Sequence, residues 1–487
     1  MWAEWIDITA RLKALTALHI GTGETGRFAS KRSAHERGDQ ASAEQPTFAL
    51  VATDVDGFPC IPGASFKGAL RNAAKPLSPS QENLLGRLGD HDEVDQATTD
   101  DQAESSAHAG RALFKAVRLV DAALPPAGPF GHEPMPHGVC PDTPAPPHYQ
   151  RALSIVARTA IDPGTGTADD HKLFHEQVVS PGAEFEANIR VLADGPEETL
   201  SGQLDAIMSL LSPLSSSDGF SIGGGATYGR GLLQLLPGTV SAIHSSIDPA
   251  DGDIRTSEME IPPDHAPQQT RRVERAQLTL SGTGPFIVID AEKSRGTGGN
   301  NDDEHTPQIV PLDTLADQNP VLPGESLHGV LRQAALWEAR IDDRDHRDAR
   351  SDPFPDDEAP TPDDLTWTEK LFGRSGWKGL LRIGPVSVAA SYGKQTLTSV
   401  KLDRFSGGPF DGGLFETVAF IDPVFRVDID LIDRIDDEGA SVVNGTDREK
   451  FRQLIQRITD TGLEVGHGAS KGFGWFDVTC GMDGEGS

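Results

Sequence analysis

The sequence IPGASFKGALR at residues 61–71 returns as LPGESLHGVLR at residues 322–332, with six of eleven positions identical. In both stretches a Pro-Gly pair ends a loop, a serine follows, and apolar residues then recur at helical spacing. Each stretch predicts the start of a helix, with Ser65 and Ser326 as the N-cap residues. Because the two stretches lie 261 residues apart, they indicate an internal duplication.

Two further segments repeat in the same order. Residues 161–174 match residues 402–415 without a gap, at a separation of 241 residues. The glycine-rich segment IGGGATYGRG at 222–231 matches VGHGASKGFG at 465–474, at a separation of 243 residues. We attribute the drop from 261 to 241 to extra residues in the first copy, in the proline-rich stretch between Pro125 and Pro147. Three ordered matches predict two copies of one unit.

The length of 487 residues suits two hydrophobic cores of ordinary size. The segment 241–270 is rich in Asp, Pro and polar residues without a regular period, which is typical of a linker. The predicted organisation is a first domain at residues 1–240, with insertions at about 79–110 and 124–150, the linker at 241–270, and a second domain at 271–487, with insertions at about 296–318 and 341–365.

The order of strand, helix and several further strands indicates an α+β fold. An opening strand is expected within residues 6–20 of the first copy and residues 275–289 of the second. The predicted architecture is two tandem ferredoxin-like domains, similar to RNA-recognition motifs, with helices on one face of each sheet. Further strands are expected at residues 112–119, 185–192, 380–388 and 425–431, and after each glycine-rich segment.

The formal net charge of −31 argues against nucleic-acid binding, which normally needs a basic surface. Two interpretations stay open: a generally acidic solvated surface, or basic residues gathered in one groove while acidic insertions face away. Three widely separated cysteines predict no disulfide framework. Without an apolar run long enough for a membrane span or a signal peptide, a cytoplasmic protein is expected.

Several side chains near the repeated motifs could bind phosphate or bases. In the glycine-rich segments, Gly223 and Gly224 would offer open backbone amides, while Tyr228 and Arg230 would offer stacking and charge. A tight turn between strands is the alternative interpretation. The second segment supplies His467, Lys471 and Phe473.

The repeated helices carry a second candidate group. Lys67 and Arg71 lie one helical turn apart and could grip neighbouring phosphates, and the second copy has His328 and Arg332 at these positions. The alternative is an ordinary solvated helix face.

A possible metal site lies in the proline-rich insertion of the first copy. Four nitrogen or sulfur ligands are what a closed Zn²⁺ site requires, although the spacing here matches no standard zinc finger. A loop with scattered histidines is the alternative interpretation. The four candidate ligands are His132, His137, Cys140 and His148.

At these motifs the sequence resembles the RAMP superfamily of CRISPR-associated proteins, and within it the type III backbone subunits. The resemblance spans nearly the whole chain and rests on several segments, each of which occurs at its expected place. They are HIGTG at 19–23, DGFPCIPGASFKG at 56–68, LFG at 371–373, the Asp-to-Leu-Phe segments and the glycine-rich segments. Two complete copies resemble the double backbone subunits of some type III complexes.

The resemblance implies RNA-guided RNA recognition. The repeated helices would line a guide-RNA groove, and Asp162 to Phe174 and Asp403 to Phe415 would form thumb hairpins that intercalate between guide and target, with Arg404 joining the RNA-binding residues. The Leu-Phe pairs could instead anchor each hairpin to its own core. The implied partners are guide RNA (crRNA), target RNA and other CRISPR effector subunits, with no membrane partner.

The resemblance also implies a place for metal-dependent RNA cleavage. The family's catalytic aspartate precedes the Pro-Gly-Ser helix, where Asp302 or Asp303 could hold Mg²⁺ or another divalent cation; Asp39 is the first-copy alternative. A solvated acidic loop is the ordinary interpretation of such a run. A non-catalytic RNA-binding scaffold, and a guide-processing ribonuclease that uses a histidine base, remain alternative functions.

Overall fold

The computed structural model describes residues 4–27, 47–75, 77–87, 108–121, 152–161, 168–193, 197–216, 219–262, 272–289, 308–312, 319–343, 360–434 and 440–482. Its α-helices are α1 (Gly63–Ala73), α2 (Pro79–Leu85), α3 (Glu197–Leu211), α4 (Gly324–Asp342), α5 (Trp367–Phe372) and α6 (Gly445–Thr461). Short 3-10 turns are found at Ser212–Ser215, Ala226–Tyr228, Pro362–Asp364 and Ala469–Lys471.

The strands of the first copy are β1 (Glu4–Ala14), β2 (Gly21–Arg27), β3 (Thr47–Val51), β4 (Cys60–Ile61), β5 (Gly86–Arg87), β6 (His108–Ala109), β7 (Ala112–Phe114), β8 (Val117–Asp121), β9 (Leu153–Ile161), β10 (Ala168–Val179), β11 (Glu184–Leu192), β12 (Phe220–Ser221), β13 (Leu232–Leu235), β14 (Ser241–Ile247) and β15 (Ile254–Glu258). Those of the second copy are β16 (Arg272–Gly282), β17 (Pro285–Phe286), β18 (Gln308–Ile309), β19 (Leu381–Ile383), β20 (Ser387–Ala390), β21 (Lys394–Leu402), β22 (Pro409–Ile421), β23 (Val424–Ile432), β24 (Leu463–Glu464) and β25 (Trp475–Met482).

Each copy is built on an antiparallel sheet with its first strand near the middle. In the first copy, β1 pairs with β11 on one side and with β13 and β14 on the other. In the second copy, β16 pairs with β23 on one side and with β25 on the other. The short strands β7 and β19 extend these sheets beyond β11 and β23. The predicted α+β fold with two tandem ferredoxin-like domains is confirmed.

The alternating burial of residues along the first strand shows on which face of the sheet the core lies. Every second residue of β1 from Ile6 to Ala14 is buried, and these side chains belong to one cluster with Phe66 and Leu70 of α1 and Ile207 of α3. In the second copy, α4 buries Leu327 and Leu331 in the equivalent cluster. The helices therefore lie on one face of each sheet, as predicted.

A hairpin of long strands projects a second, smaller sheet from each copy. β9 and β10 pair antiparallel in the first copy, and β21 and β22 pair antiparallel in the second. In both sheets a short strand runs parallel to the second strand of the hairpin, β3 along β10 and β18 along β22. The hairpins predicted at the Asp-to-Leu-Phe segments are confirmed.

The predicted linker at 241–270 is partly wrong. β14 and β15 form a hairpin, and β14 pairs with β1 from Glu4 to Thr9. Residues 241–258 therefore belong to the sheet of the first copy. The five residues of β15 are all exposed, so the strand lacks the apolar alternation by which a half-buried strand is recognised.

The predicted insertion at about 79–110 and the predicted N-caps also need correction. α2 and α5 are equivalent helices: each begins with a capping box, and each ends at a glycine with a left-handed φ, Gly86 or Gly373. α1 and α4 begin at Gly63 and Gly324, two residues before the serines, and neither has a side-chain cap. The helix start is therefore set by the Pro-Gly pair.

Candidate functional site

The two glycine-rich loops have the same backbone conformation. A 3-10 turn, Ala226–Tyr228 in the first copy and Ala469–Lys471 in the second, is flanked on both sides by glycines in the left-handed region. The backbone amides of Gly231 and Gly474 fix each loop to the segment that follows the first strand of its own copy. The loops therefore place Tyr228 and Lys471 at one equivalent position, and Arg230 and Phe473 at another.

The first loop lies against the second copy. The Tyr228 ring packs edge to face on His328 of α4, with ring centroids 4.5 Å apart, and His328 packs on Phe372 at 5.2 Å. A Cβ atom at Gly324 would lie only 2.0 Å from the Tyr228 carbonyl oxygen, so this close approach needs a glycine. We call this contact between the first loop and the start of α4 the inter-copy joint.

Four charged side chains from four segments meet at the inter-copy joint. Arg230 is 5% exposed and forms ion pairs with both Glu176 of β10 and Glu325 of α4. Arg158 of β9 adds a 2.6 Å ion pair to Glu176 and approaches Glu325 at 4.0 Å. We call these four residues the joint cluster. Because two arginines and two glutamates compensate one another, the cluster can be buried.

The electrostatics of Glu176 predict how the joint cluster responds to acid. Burial alone would raise the pKa of Glu176, but the charges of Arg230 and Arg158 outweigh burial and hold the pKa below its usual value. The stabilisation is therefore complete above the pKa that Glu176 has in the unfolded chain, and it is lost as pH falls through the depressed folded pKa.

Glu176→Gln is expected to lower the free energy of unfolding by about 2 kcal/mol at neutral pH, because two charge-assisted hydrogen bonds are weakened. The difference between wild type and variant should shrink as the pH is lowered. Urea denaturation of both proteins over a pH series measures it. A difference that stays constant down to strongly acidic pH would contradict the assignment.

Arg71 and Arg332 hold helix ends. The Arg71 guanidinium donates to the carbonyl oxygens of Leu85 and Gly86, at 2.6 and 2.7 Å. Arg332 is 4% exposed and donates to the Gly373 carbonyl oxygen at 2.9 Å. Both arginines therefore satisfy the carbonyl end of the following helix. The burial of Arg332 corrects the expectation that it faces phosphates, whereas for the partly exposed Arg71 that expectation stays a prediction.

Three more predicted RNA-binding residues have protein partners instead. Across the inter-copy joint, the Tyr228 ring packs on His328, and Arg230 pairs with Glu325. The Gly224 amide, predicted to be open, donates to the His19 carbonyl oxygen at 3.2 Å. In the first copy, the glycine-rich loop is therefore mainly a protein contact, although Gly223 and Gly224 are exposed to solvent.

The second glycine-rich loop is exposed at its tip. Ala469–Lys471 and His467 lie at the surface, and Phe473 is partly exposed. The Lys471 ammonium lies 5.4 Å from the ring centre of Phe415 on β22. Partial burial, with the nearby charge of Lys471, lowers the pKa of His467, so at neutral pH the positive charge of this loop comes from Lys471.

The tip of the second hairpin carries a cation and an aromatic ring. The Asp403 carboxylate accepts hydrogen bonds from the amides of Phe405 and Ser406, at 2.9 and 2.7 Å, and these bonds lower its pKa. Asp403 therefore forms the turn. Arg404 lies 5.4 Å from the ring centre of Phe405, which is 89% exposed. We call residues 394–421, with this tip, the hairpin arm.

One member of each Leu-Phe pair, Phe174 in the first copy and Leu414 in the second, is exposed rather than buried in a core. Phe174 and Leu414 are each 48% exposed. The Arg158 guanidinium stacks over Phe174 with 5.1 Å to the ring centre, as Lys471 does over Phe415 in the second copy. In each hairpin a cation therefore lies on an aromatic ring part of the way along the strands, and such rings can stack on bases.

Lys67 of α1 is partly buried, and eight further sequence-predicted site residues lie outside the described residues. Within the described ranges, no group of three or more His, Cys, Asp or Glu side chains could hold a metal ion. The residues that fall outside are Asp39, Asp162, Asp302 and Asp303, and the zinc candidates His132, His137, Cys140 and His148.

Sequence reasoning missed three members of the joint cluster, Arg158, Glu176 and Glu325. A comparison of the two copies could have pointed to them, because each of the four charged residues of the cluster has an uncharged residue at the equivalent position of the other copy. The equivalent pairs, from the strand registers and the repeated motifs, are Arg158 with Ser399, Glu176 with Thr417, Arg230 with Phe473, and Glu325 with Ala64.

The comparisons with known proteins agree with the duplication. A sequence model described as the RAMP superfamily matches the chain twice, at residues 11–234 and 287–477. No curated protein matches the chain. Among the helices that the structure describes, none is both long and apolar enough to cross a membrane.

Proposed function

The chain belongs to the RAMP superfamily of CRISPR-associated RNA-binding subunits, and we propose that it is a tandem backbone subunit of a type III effector complex that binds guide RNA and presents target RNA. The single observation that carries the proposal is the exposed Arg404 and Phe405 at the tip of the hairpin arm. An exposed cation beside an exposed ring suits the binding of single-stranded RNA, because the cation can contact a phosphate and the ring can stack on a base.

The inter-copy joint supports a backbone role. A buried ionic cluster and a glycine-dependent contact fix the second copy relative to the first. Two hairpins are therefore held at a fixed spacing, which suits periodic contacts along one guide–target duplex. The complex would act in the cytoplasm together with other CRISPR effector subunits.

Among the predicted RNA-binding residues, the geometry favours those that are exposed. The hairpin arm adds Phe405, Lys394 and Lys401, and the strands β10 and β22 add the rings of Phe174 and Phe415. The exposed residues retained from the sequence are Gly223, Gly224, Arg404, His467 and Lys471, with the partly exposed Phe473.

RNA binding is expected in spite of the acidic net charge, with a marked dependence on salt. Each phosphate contact to single-stranded RNA contributes about −0.7 to the slope of log affinity against log salt. Mobility shift of guide-like RNA across a salt series measures both affinity and slope, and RNA sequencing after purification from the host identifies the natural ligand. The absence of a shift at low salt, or copurification of protein partners without RNA, would rule out this function.

Target cleavage forms a second part of the proposal. Asp302 or Asp303 would hold Mg²⁺ or another divalent cation before α4, while the first copy offers Asp39 as the alternative. The assay is cleavage of complementary RNA by the assembled complex in magnesium. Asp302→Ala/Asp303→Ala is expected to abolish one set of cuts while guide and target stay bound; unchanged cutting would leave the chain as a non-catalytic scaffold or point to Asp39.

A further inference from the structure

The hairpin β14–β15 gives the sheet of the first copy an open edge. Its inner strand, β14, pairs with β1, and its outer strand, β15, pairs with β14. Among the strands that the structure describes, no other strand pairs with β15. The hairpin lies between the two segments that match the RAMP superfamily, residues 11–234 and 287–477, so it is not part of the matched family pattern.

The hydrogen-bond pattern of the hairpin shows which backbone groups of β15 point outward. Just beyond the strand, the Met259 amide donates to the Ala242 carbonyl oxygen at 3.0 Å. In an antiparallel ladder every second opposed pair exchanges hydrogen bonds, and the register of this hairpin has no shift. The odd-numbered residues of β15 therefore bond to β14. The even-numbered residues, Ile254, Thr256 and Glu258, direct their amide and carbonyl groups away from it.

This outward edge of β15 is open to solvent. All five residues of the strand are exposed, and Ile254 is 61% exposed. Within the described part of the chain, no hydrogen bond satisfies the outward amides and carbonyls. A row of unpaired backbone groups in extended conformation is a template on which a further strand can pair.

The charge around this edge favours one kind of partner. Residues 248–260 include five acidic side chains and a single cation, Arg255. The Arg255 guanidinium pairs with Asp248 and, at 3.5 Å, with Asp251, so its charge is compensated in the turn of the hairpin. At the other end of the edge, Glu258 and Glu260 are exposed and have no ion-pair partner among the described residues. The edge therefore favours a basic strand.

The same charge disfavours two other occupants of the edge. A second copy of this chain would bring an equally acidic β15, and like charges on facing strands repel each other. A nucleic-acid strand would bring phosphates to an acidic surface. Charged side chains on an edge strand are a device against self-pairing, and they still admit a strand of opposite charge.

We propose that β15 binds a basic, extended segment of another protein as an additional antiparallel strand. The outward backbone groups of Ile254, Thr256 and Glu258 pair with that segment. A basic side chain of the segment lies opposite Glu258, and an apolar side chain lies opposite Ile254, because directly opposed residues share one face of a sheet. This inference is independent of the proposed RNA binding, which uses the hairpin arm, and it can be tested without RNA.

The probe is a synthetic peptide, Lys-Thr-Lys-Thr-Val-Thr-Ile, blocked at both ends. Antiparallel pairing places its isoleucine opposite Ile254, its valine opposite Thr256 and its second lysine opposite Glu258. Fluorescence anisotropy with the full chain is expected to show saturable binding, about tenfold or more tighter than binding of the same peptide with glutamate in place of lysine. A lysine peptide that does not bind, or that binds no better than the glutamate peptide, would overturn the proposal.

Two N-methylated isomers of the peptide separate strand pairing from general attraction to an acidic chain, because they carry the same charge. Methylation of the valine amide, which points at β15, removes a ladder hydrogen bond and is expected to weaken binding about tenfold. Methylation of the preceding threonine amide, which points away from β15, is expected to leave the affinity within about threefold of the unmethylated peptide. Equal affinities of the two isomers would contradict strand pairing.

Two substitutions at one position test the edge from the side of the protein. Thr256→Pro removes an outward amide without removing a hydrogen bond to β14, so it is expected to weaken peptide binding about tenfold while the urea midpoint stays near that of wild type. Thr256→Ala keeps the amide and is expected to bind the peptide as wild type does.

Three results with these variants would also overturn the proposal. They are a T256P protein that binds the peptide as wild type does, a wild type that self-associates in sedimentation velocity while T256P stays monomeric, and a loss of single-stranded RNA affinity in T256P. If T256P fails to fold, the comparison of the two methylated peptides on wild type decides the question.

Discussion

Arg230→Ala is expected to lower the free energy of unfolding by about 3 to 5 kcal/mol, because it removes one partner of a buried ion pair and leaves charge uncompensated. Arg230 is 5% exposed and pairs with Glu176 within its own copy and with Glu325 across the inter-copy joint. Arg158 remains beside Glu176 after the substitution, but it reaches Glu325 only at 4.0 Å. The larger part of the loss should therefore fall on the joint.

Urea and thermal denaturation measure the effect, and a double-mutant cycle with Glu325→Gln isolates the part that crosses the joint. Loss of the joint should also separate the unfolding of the two cores into distinct transitions, because the cluster couples them. Lys471→Ala is the matched control, since it alters the equivalent loop at its exposed tip, and its effect should stay within about 1 kcal/mol. A coupling energy near zero between positions 230 and 325 would show that the cluster does not hold the copies together.

The fold could be predicted because the duplication is visible in short repeated segments of the sequence. The Pro-Gly segments, the Asp-to-Leu-Phe segments and the glycine-rich segments each determine a turn or helix start from neighbouring residues. β1 follows a strict alternation of buried and exposed residues, and such alternation is visible without a structure. The hairpin β14–β15 was missed for the opposite reason, because an exposed edge hairpin has no apolar pattern to reveal it.

The candidate site was predicted less well, because burial across two copies is not a local property. Arg230 in a glycine-rich loop has the composition of a phosphate contact, and only the position of Glu325 in the other copy makes it a structural ion pair. Arg71 and Arg332 were likewise read as a basic helix face, whereas their partners are carbonyl oxygens at the ends of α2 and α5. Arg71 and Arg332 are identical in the two copies because they have the same structural role at a helix end.

The net charge of −31 is a sum over the whole chain and does not give the local charge of the surface that we propose binds RNA. From Lys394 to Phe405 the chain has three cations, at 394, 401 and 404, and one carboxylate, Asp403. That carboxylate is engaged with the backbone amides of its own turn. Exposed apolar side chains at Val400, Leu402 and Phe405 accompany the cations, and such a patch on a projecting arm marks a contact surface.

The double substitution Arg404→Ala/Phe405→Ala is expected to weaken RNA binding by about 10- to 100-fold, because it removes one base-stacking ring and one phosphate contact. The two losses are distinguishable. Phe405→Ala alone should lower affinity equally at all salt concentrations, whereas Arg404→Ala alone should make the slope of log affinity against log salt shallower by about 0.7. Filter binding of single-stranded guide-like RNA across a salt series gives both quantities.

The chain offers a matched control for this pair. Trp337 of α4 is 54% exposed and lies under the Arg457 guanidinium of α6, with 3.7 Å to the ring centre, so it is also an exposed arginine–aromatic pair. It lies on the helix layer, away from the hairpin arm. Trp337→Ala/Arg457→Ala should leave RNA affinity within about twofold of wild type, because it removes a similar charge and ring from the helix layer rather than from the proposed RNA-binding arm. Equal losses from the two double variants would show that the tip of the arm has no special role, and RNA binding would then have to be assigned to the rings of Phe174 and Phe415 on β10 and β22.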